Sequence, residues 1–345
     1  MKPRSELRAV IDDVLASSFA APRDHAQLWR TTTALDWHRV GIPEADGGAG
    51  GELADVAEIA AGVGRRALAL PVIETGLAGW TLARAGVPVD VLGDEPAVAI
   101  VARLAVESAG GVVLDGRLRG VRFLPDAAQV VLLVPDSDRT LVVRLDRAQL
   151  DVRTHVDLAE EPIGDALLAA LAITPDRVTS APAILAGELT ARAALLRAAA
   201  LGGCVERAVQ LVRQHVSVRE QFGRPLITNQ AVAHGVATIA CERDLISFAV
   251  AAALASPDVA TCAAARAAAA RSAGVAARQS HQLMGAMGMT REHPLHHVTC
   301  RIWAWRDAGG SERAWEQQVG EHVLRGADDD ALWDLATGAA AVQQS

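Results

Sequence analysis

Arg219-Glu220-Gln221-Phe222-Gly223-Arg224-Pro225-Leu226, with Asn229-Gln230 just beyond, is the stretch on which the reading of this chain turns. It closes one long helical segment and opens another. Upstream, residues 184–217 are rich in alanine and leucine; downstream, 228–255, 258–285 and 311–324 read the same way. Alanine is the strongest helix former, and the apolar positions suit helices that share a core. The pattern predicts a C-terminal four-helix bundle over residues 182–326, with a frayed tail over 327–345.

Residues 96–181 have a different character. AVAIVARL, GGVVLDGRLRGV, AQVVLLV and RTLVVRL are short, β-branched runs separated by turn formers such as Pro125-Asp126 and Pro135-Asp136-Ser137-Asp138. They predict a small β-domain with room for six or seven strands. Residues 1–95 read as short helices. Ser5 is placed to cap the first, which carries Leu7, Val10, Ile11, Val14 and Leu15. The glycine-rich run Gly41–Gly51 breaks the pattern before helices over 53–63 and 75–85. The expected fold is therefore mainly α with a small β-domain: helices, then strands, then a bundle.

Composition narrows the function. A chain of 345 residues can hold two or three packed domains. Its net charge of -8, with basic residues dispersed, argues against nucleic acid as a partner. Arg266, Arg271 and Arg278 interrupt the alanine-rich stretch after residue 258, so no membrane insertion is expected. The N-terminus does not read as a signal peptide. Cys204, Cys241, Cys262 and Cys300 form no CxxC pair and read as buried, reduced thiols of a cytoplasmic protein. His293, His296 and His297 cluster near a turn without a further ligand at fixed spacing, so no metal site is expected. Trp303, Trp305, Trp315 and Trp333 read as packing or interface residues, and Asp328–Asp330 as a solvated tail.

Arg219 presents a permanent cationic fork suited to a pyrophosphate, or else is a surface arginine at a helix C-terminus. Phe222 on its own reads as core. Gln230 and Gln282 can each donate and accept hydrogen bonds. Gly285 and Gly288 permit close backbone approach to a ligand, or simply end a helix.

The Arg219–Leu226 stretch with Gln230 resembles the acyl-CoA dehydrogenase signature R-x-x-F-G-x-x-L followed by a helix-opening glutamine. Gln282-Leu283-Met284-Gly285-Ala286-Met287-Gly288-Met289, with Glu292 and Pro294, is similar to that family's Q-x-x-G-G-x-G-x-x-x-E-x-P. Gly41-Ile42-Pro43 with Gly47-Gly48-Ala49-Gly50 resembles its N-terminal turn. The resemblance implies that Arg219, Phe222, Gln230, Gln282, Gly285 and Gly288 help bind FAD held mainly by a neighbouring subunit. It also implies an acyl-CoA substrate and a dimer or tetramer.

Two departures qualify the resemblance. Family members abstract the α-proton with a glutamate in an E-G-T loop; counted forward from Gln282, that position is Gly309 within Asp307-Ala308-Gly309-Gly310-Ser311. Other members place the glutamate early in the long helix, where this chain has Ala191-Arg192-Ala193-Ala194-Leu195. Glu312 and Glu188 are the nearest weak substitutes. The β-domain also lacks the family's L-T-E-P-x-A-G-S-D and W-x-[ST] segments, which touch a subunit's own flavin. The pattern resembles the shortened subunit of heterotetrameric, steroid side-chain type acyl-CoA dehydrogenases, whose partner chain carries the catalytic glutamate. A homomeric dehydrogenase with a displaced carboxylate, a non-redox scaffold and a flavin monooxygenase of the same fold are the other readings.

Overall fold

The computed structural model describes residues 4–16, 25–107, 111–325 and Trp333. Its elements run α1 (Arg4–Val14), α2 (His25–Ala34), α3 (Leu53–Arg66), α4 (Val72–Arg84), β1 (Ala97–Val101), β2 (Ala105–Glu107), β3 (Val112–Arg122), β4 (Gln129–Asp136), β5 (Arg139–Asp146), β6 (Asp151–Val156), β7 (Pro162–Ile173), β8 (Val178–Pro182), α5 (Leu185–Val218), β9 (Glu220–Gln221), β10 (Arg224–Pro225), α6 (Gln230–Ala255), α7 (Val259–Met284), α8 (Pro294–Asp307) and α9 (Glu312–Arg325). They form two compact units. One gathers α1, α3 from Ala57 onward and the chain from Ala194; the other gathers α2, α4, the eight strands β1–β8 and the start of α5.

The strand-bearing unit is built on two four-stranded sheets, ordered β1-β4-β5-β8 and β2-β3-β7-β6. Alternation along the strands supplies the core: Val130, Leu132 and Val134 of β4 and Leu141, Val143 and Leu145 of β5 share a buried cluster with Leu114 and Leu118 of β3 and Ala166 and Leu168 of β7. Val131 and Leu133 of β4 are buried too, because α4 packs on that strand. Thr75 of α4 ties helix to sheet: its hydroxyl donates to the Ala97 carbonyl (3.3 Å) and accepts the Ala97 N–H (3.1 Å). Eight strands replace the expected six or seven, because β2 and β8 are too short to leave an apolar run.

In the other unit α5, α6, α7 and α9 are the long helices read from the sequence. A turn of three residues joins α6 to α7, and the two pack along each other antiparallel. Asp258 caps α7 by accepting the N–H groups of Ala260 and Thr261, both at 2.8 Å. Helix α1 docks through a buried arginine: Arg65 meets Asp12 at 3.0 Å, Glu58 at 2.9 Å and Glu206 at 3.8 Å.

Several expectations are corrected. Helix α8 was no part of the four expected after residue 182; His293-Pro294 reads as a turn, yet His293 is its N-cap and Pro294 its first residue, where the missing N–H costs nothing. Helix α1 already starts at Arg4, so Ser5 is not its cap. Cys204 and Cys262 are buried, but Cys241 is exposed and Cys300 half-buried. Phe222 is wholly exposed, not core. The expected tail, with Asp328–Asp330, lies outside the described residues apart from Trp333. No helix among the described residues is long and apolar enough to cross a membrane.

Candidate functional site

The motif residues gather at one end of the bundle. Helix α5 ends at Val218, and the next residues fold into a hairpin in which β9 pairs with β10 and the Leu226 N–H donates to the Arg219 carbonyl at 2.8 Å. Its two tip residues, Phe222 (φ 54°) and Gly223 (φ 78°), are both left-handed, as a tight two-residue hairpin turn requires. Such a backbone is unfavourable for phenylalanine by roughly 1–2 kcal/mol. The ring is nevertheless fully out in solvent, 100% exposed. Asn229 caps α6 by accepting the Ala231 N–H at 2.9 Å, which sets Gln230 in the first turn with its side chain exposed. Because α7 runs back along α6, exposed Gln282 returns to the same end.

The two glycines differ. Gly285 ends α7 in a left-handed conformation (φ 61°), with open space where a side chain would stand. Gly288 is buried; a Cβ there would lie 2.8 Å from Met284 and 3.0 Å from Leu295, so its smallness serves packing.

Behind Arg219 lies a groove of about 660 Å³, with Leu211, His215 and Arg219 on one wall and Met287, His293 and Pro294 on the other. Burial holds the His215 imidazole below its usual range, and the nearby Arg219 and His293 add to the effect. Arg219 is exposed and has no carboxylate partner among the described residues. An unpaired cationic fork, amides that donate and accept, an open glycine turn and a bare aromatic ring suit the phosphates and flat rings of a nucleotide cofactor.

A second loop, Ala308–Ser311, joins α8 to α9 and holds the position where the resemblance expects a base. Gly309 sits there with φ 73°, a conformation that L side chains rarely adopt. At Gly310 a Cβ would stand 2.9 Å from the Trp315 indole nitrogen, which donates to the Gly310 carbonyl at 3.2 Å. Beneath the loop lies the guanidinium of Arg266, wholly buried. One nitrogen donates to the carbonyls of Trp305 (2.8 Å), Arg306 (2.8 Å) and Ala308 (3.1 Å), closing the end of α8. Burial pulls the Arg266 pKa down to about 9, with repulsion from Arg197 adding to it.

Each carboxylate near the two sequence positions is engaged. Asp307 forms a two-point pair with Arg306, both contacts at 2.9 Å. Glu312 meets Arg271 at 3.4 Å, and Glu188 meets Arg84 at 3.1 Å. In the Ala191–Leu195 stretch the charged group is a cation: Arg192 lies 5.0 Å over the Trp80 ring and donates to the Gly41 carbonyl at 3.3 Å. Burial lowers its pKa to about 10.

The histidines have local roles. His293 caps α8, His297 donates to the Arg291 carbonyl at 2.8 Å, and His281 shares a 2.8 Å hydrogen bond with Thr299. No group of three or more metal-ligating side chains occurs among the described residues. Sequence reasoning missed Arg266, whose signal is a set of long-range contacts that no spacing reveals, and the tight role of Trp315, which reaches back to Gly310.

A family model, acyl-CoA dehydrogenase C-terminal domain, matches residues 184–324. The acyl-CoA dehydrogenase IpdE2 of Mycobacterium tuberculosis is 31% identical over 260 residues, which cover 74% of this chain and 73% of the relative. Among solved structures, a chain of the ChsE4-ChsE5 complex from Mycobacterium tuberculosis superposes with TM-score 0.85 at 20% identity, covering 95% of this chain and 99% of that one. A chain of the Tcur3481-Tcur3483 steroid ACAD gives 0.84 at 21%, covering 94% and 98%. Sequence relationship and shared fold agree: the chain belongs to the acyl-CoA dehydrogenase family.

Proposed function

We propose that this chain is a base-less subunit of a heteromeric acyl-CoA dehydrogenase, completing the FAD site of a second chain that carries the catalytic glutamate. One observation carries the reading. Position 309 is a left-handed glycine, and Asp307, Glu312 and Glu188 are each held in an ion pair with an arginine. A general base must stand within hydrogen-bond reach of the proton it removes, directly or through one water. A carboxylate already held against an arginine is fixed elsewhere.

Bound FAD would supply the hydride acceptor for α,β-desaturation of an acyl-CoA thioester. This chain's part is to hold the nucleotide half. Arg219 would neutralise a pyrophosphate, Phe222 would lie against a flat ring, and Gln230 and Gln282 would fix ribose or base edges. Gly285 lets backbone approach the phosphates. That Phe222 and Arg219 have nothing to pack on or pair with among the described residues favours a ligand held by another subunit. A chain with the same fold stands in the ChsE4-ChsE5 complex.

The test is turnover of the complex with its partner. Glu312→Gln and Glu188→Gln should each leave turnover within about 10-fold, while replacing the partner's glutamate abolishes it. A loss of about 10²-fold from either substitution, with FAD still bound, identifies a displaced base in this chain and favours the homomeric reading.

A further inference from the structure

We propose that the N-terminus of α8 is a proton-sensitive latch: the neutral ring of His293 holds it closed through Nδ1, and protonation of that ring releases it. The geometry is direct. The Leu295 N–H donates to His293 Nδ1 at 3.1 Å, so Nδ1 must carry a lone pair while the cap is made. Pro294, the first helical residue, has no N–H to offer, which leaves the ring as the cap of the first turn. A proton on Nδ1 removes the acceptor and sets two N–H groups facing each other. It also places a positive charge at the positive end of the helix.

The surroundings favour the neutral ring. From α5 and the hairpin, Arg207, His215, Arg219 and Glu220 face the same groove. Arg291 and Glu292 flank His293 on its own segment, and His296 and His297 follow in the first turn of α8. The two carboxylates are outnumbered by arginines and imidazoles. Burial further holds the His293 ring below its ordinary range. The sign follows: the folded pKa lies below the unfolded value, so the cap's stabilisation is complete above about pH 6.5 and is lost as pH falls below it. Since Met287 and Pro294 form the groove wall opposite Arg219, acid loosens that wall whatever the groove binds.

Thermal unfolding of the full chain at about pH 7.5 and about pH 5.5 tests the latch. Asparagine caps a helix as well as any residue and does not titrate in this window. H293N should match the parent within about 1 °C at the higher pH and exceed it by about 1–3 °C at the lower. H293A should lie about 1–3 °C below the parent at the higher pH and match it at the lower, where the parent has lost the cap too. An equal acid-induced drop in parent and H293N assigns the sensitivity to other groups, such as His215, and overturns the proposal. Nitrogen NMR of the unmodified chain gives a second check that needs no variant. The latch requires the His293 proton on Nε2 near neutrality; a proton on Nδ1 contradicts it.

Discussion

The hairpin at the end of α5 and the loop between α8 and α9 are both short, glycine-containing connections in one helical unit, yet they have opposite surroundings. The hairpin projects Phe222 and Arg219 into solvent with no partner among the described residues. The α8–α9 loop is closed from within: Trp315 covers Gly310, and Arg266 gathers the last carbonyls of α8. Side chains kept exposed against their own conformational cost are free to meet a ligand. A loop stitched to its own core has no group left to offer. On the proposed reading, the first loop keeps binding chemistry and the second lacks a proton-abstracting group.

The comparison breaks most visibly at Trp315. Trp315→Ala should lower stability by about 3–5 kcal/mol in a denaturant titration, because it removes a buried indole and the hydrogen bond to Gly310. A change near zero would show that the loop is not closed by packing. Next in size is Arg219→Ala. It should weaken FAD retention in the assembled complex by about 10-fold or more, from about 1.5–3 kcal/mol of charge-assisted hydrogen bonding, with folding untouched. Unchanged retention returns Arg219 to a surface cation.

Gly309→Ala should cost about 1 kcal/mol, since only the left-handed backbone resists it and no neighbour lies within 4 Å of the new methyl. A cost well above that would mean the loop is tighter than its geometry implies. Smallest in stability is Phe222→Ala, within about 0.5 kcal/mol for a fully exposed ring. The same change should weaken assembly with the partner, read by co-purification; loss of folding instead would make Phe222 a structural residue.

Much of this was legible in the sequence, and the reasons are particular. Long helices announce themselves through alanine content and apolar spacing, so α5, α6, α7 and α9 were found. Helix α8 was hidden because its cap and first residue, His293-Pro294, look like a turn. The motif at Arg219 pointed to the end of the bundle where the motif residues gather, and Gly309 to the position where the resemblance expects a base. The two glycines of the second motif could not be told apart, because only packing shows that Gly285 stands open while Gly288 lies against Met284 and Leu295. Arg266 was invisible for a similar reason: its partners lie 39–42 residues away along the chain.

The flavin content of the chain purified alone tests the central claim most directly, measured against the same chain purified with its partner. The account predicts little or no FAD in the isolated chain and bound FAD in the complex, since this chain offers the outward-facing half of a site and not its own flavin cradle. Stoichiometric FAD in the isolated homomer would contradict it.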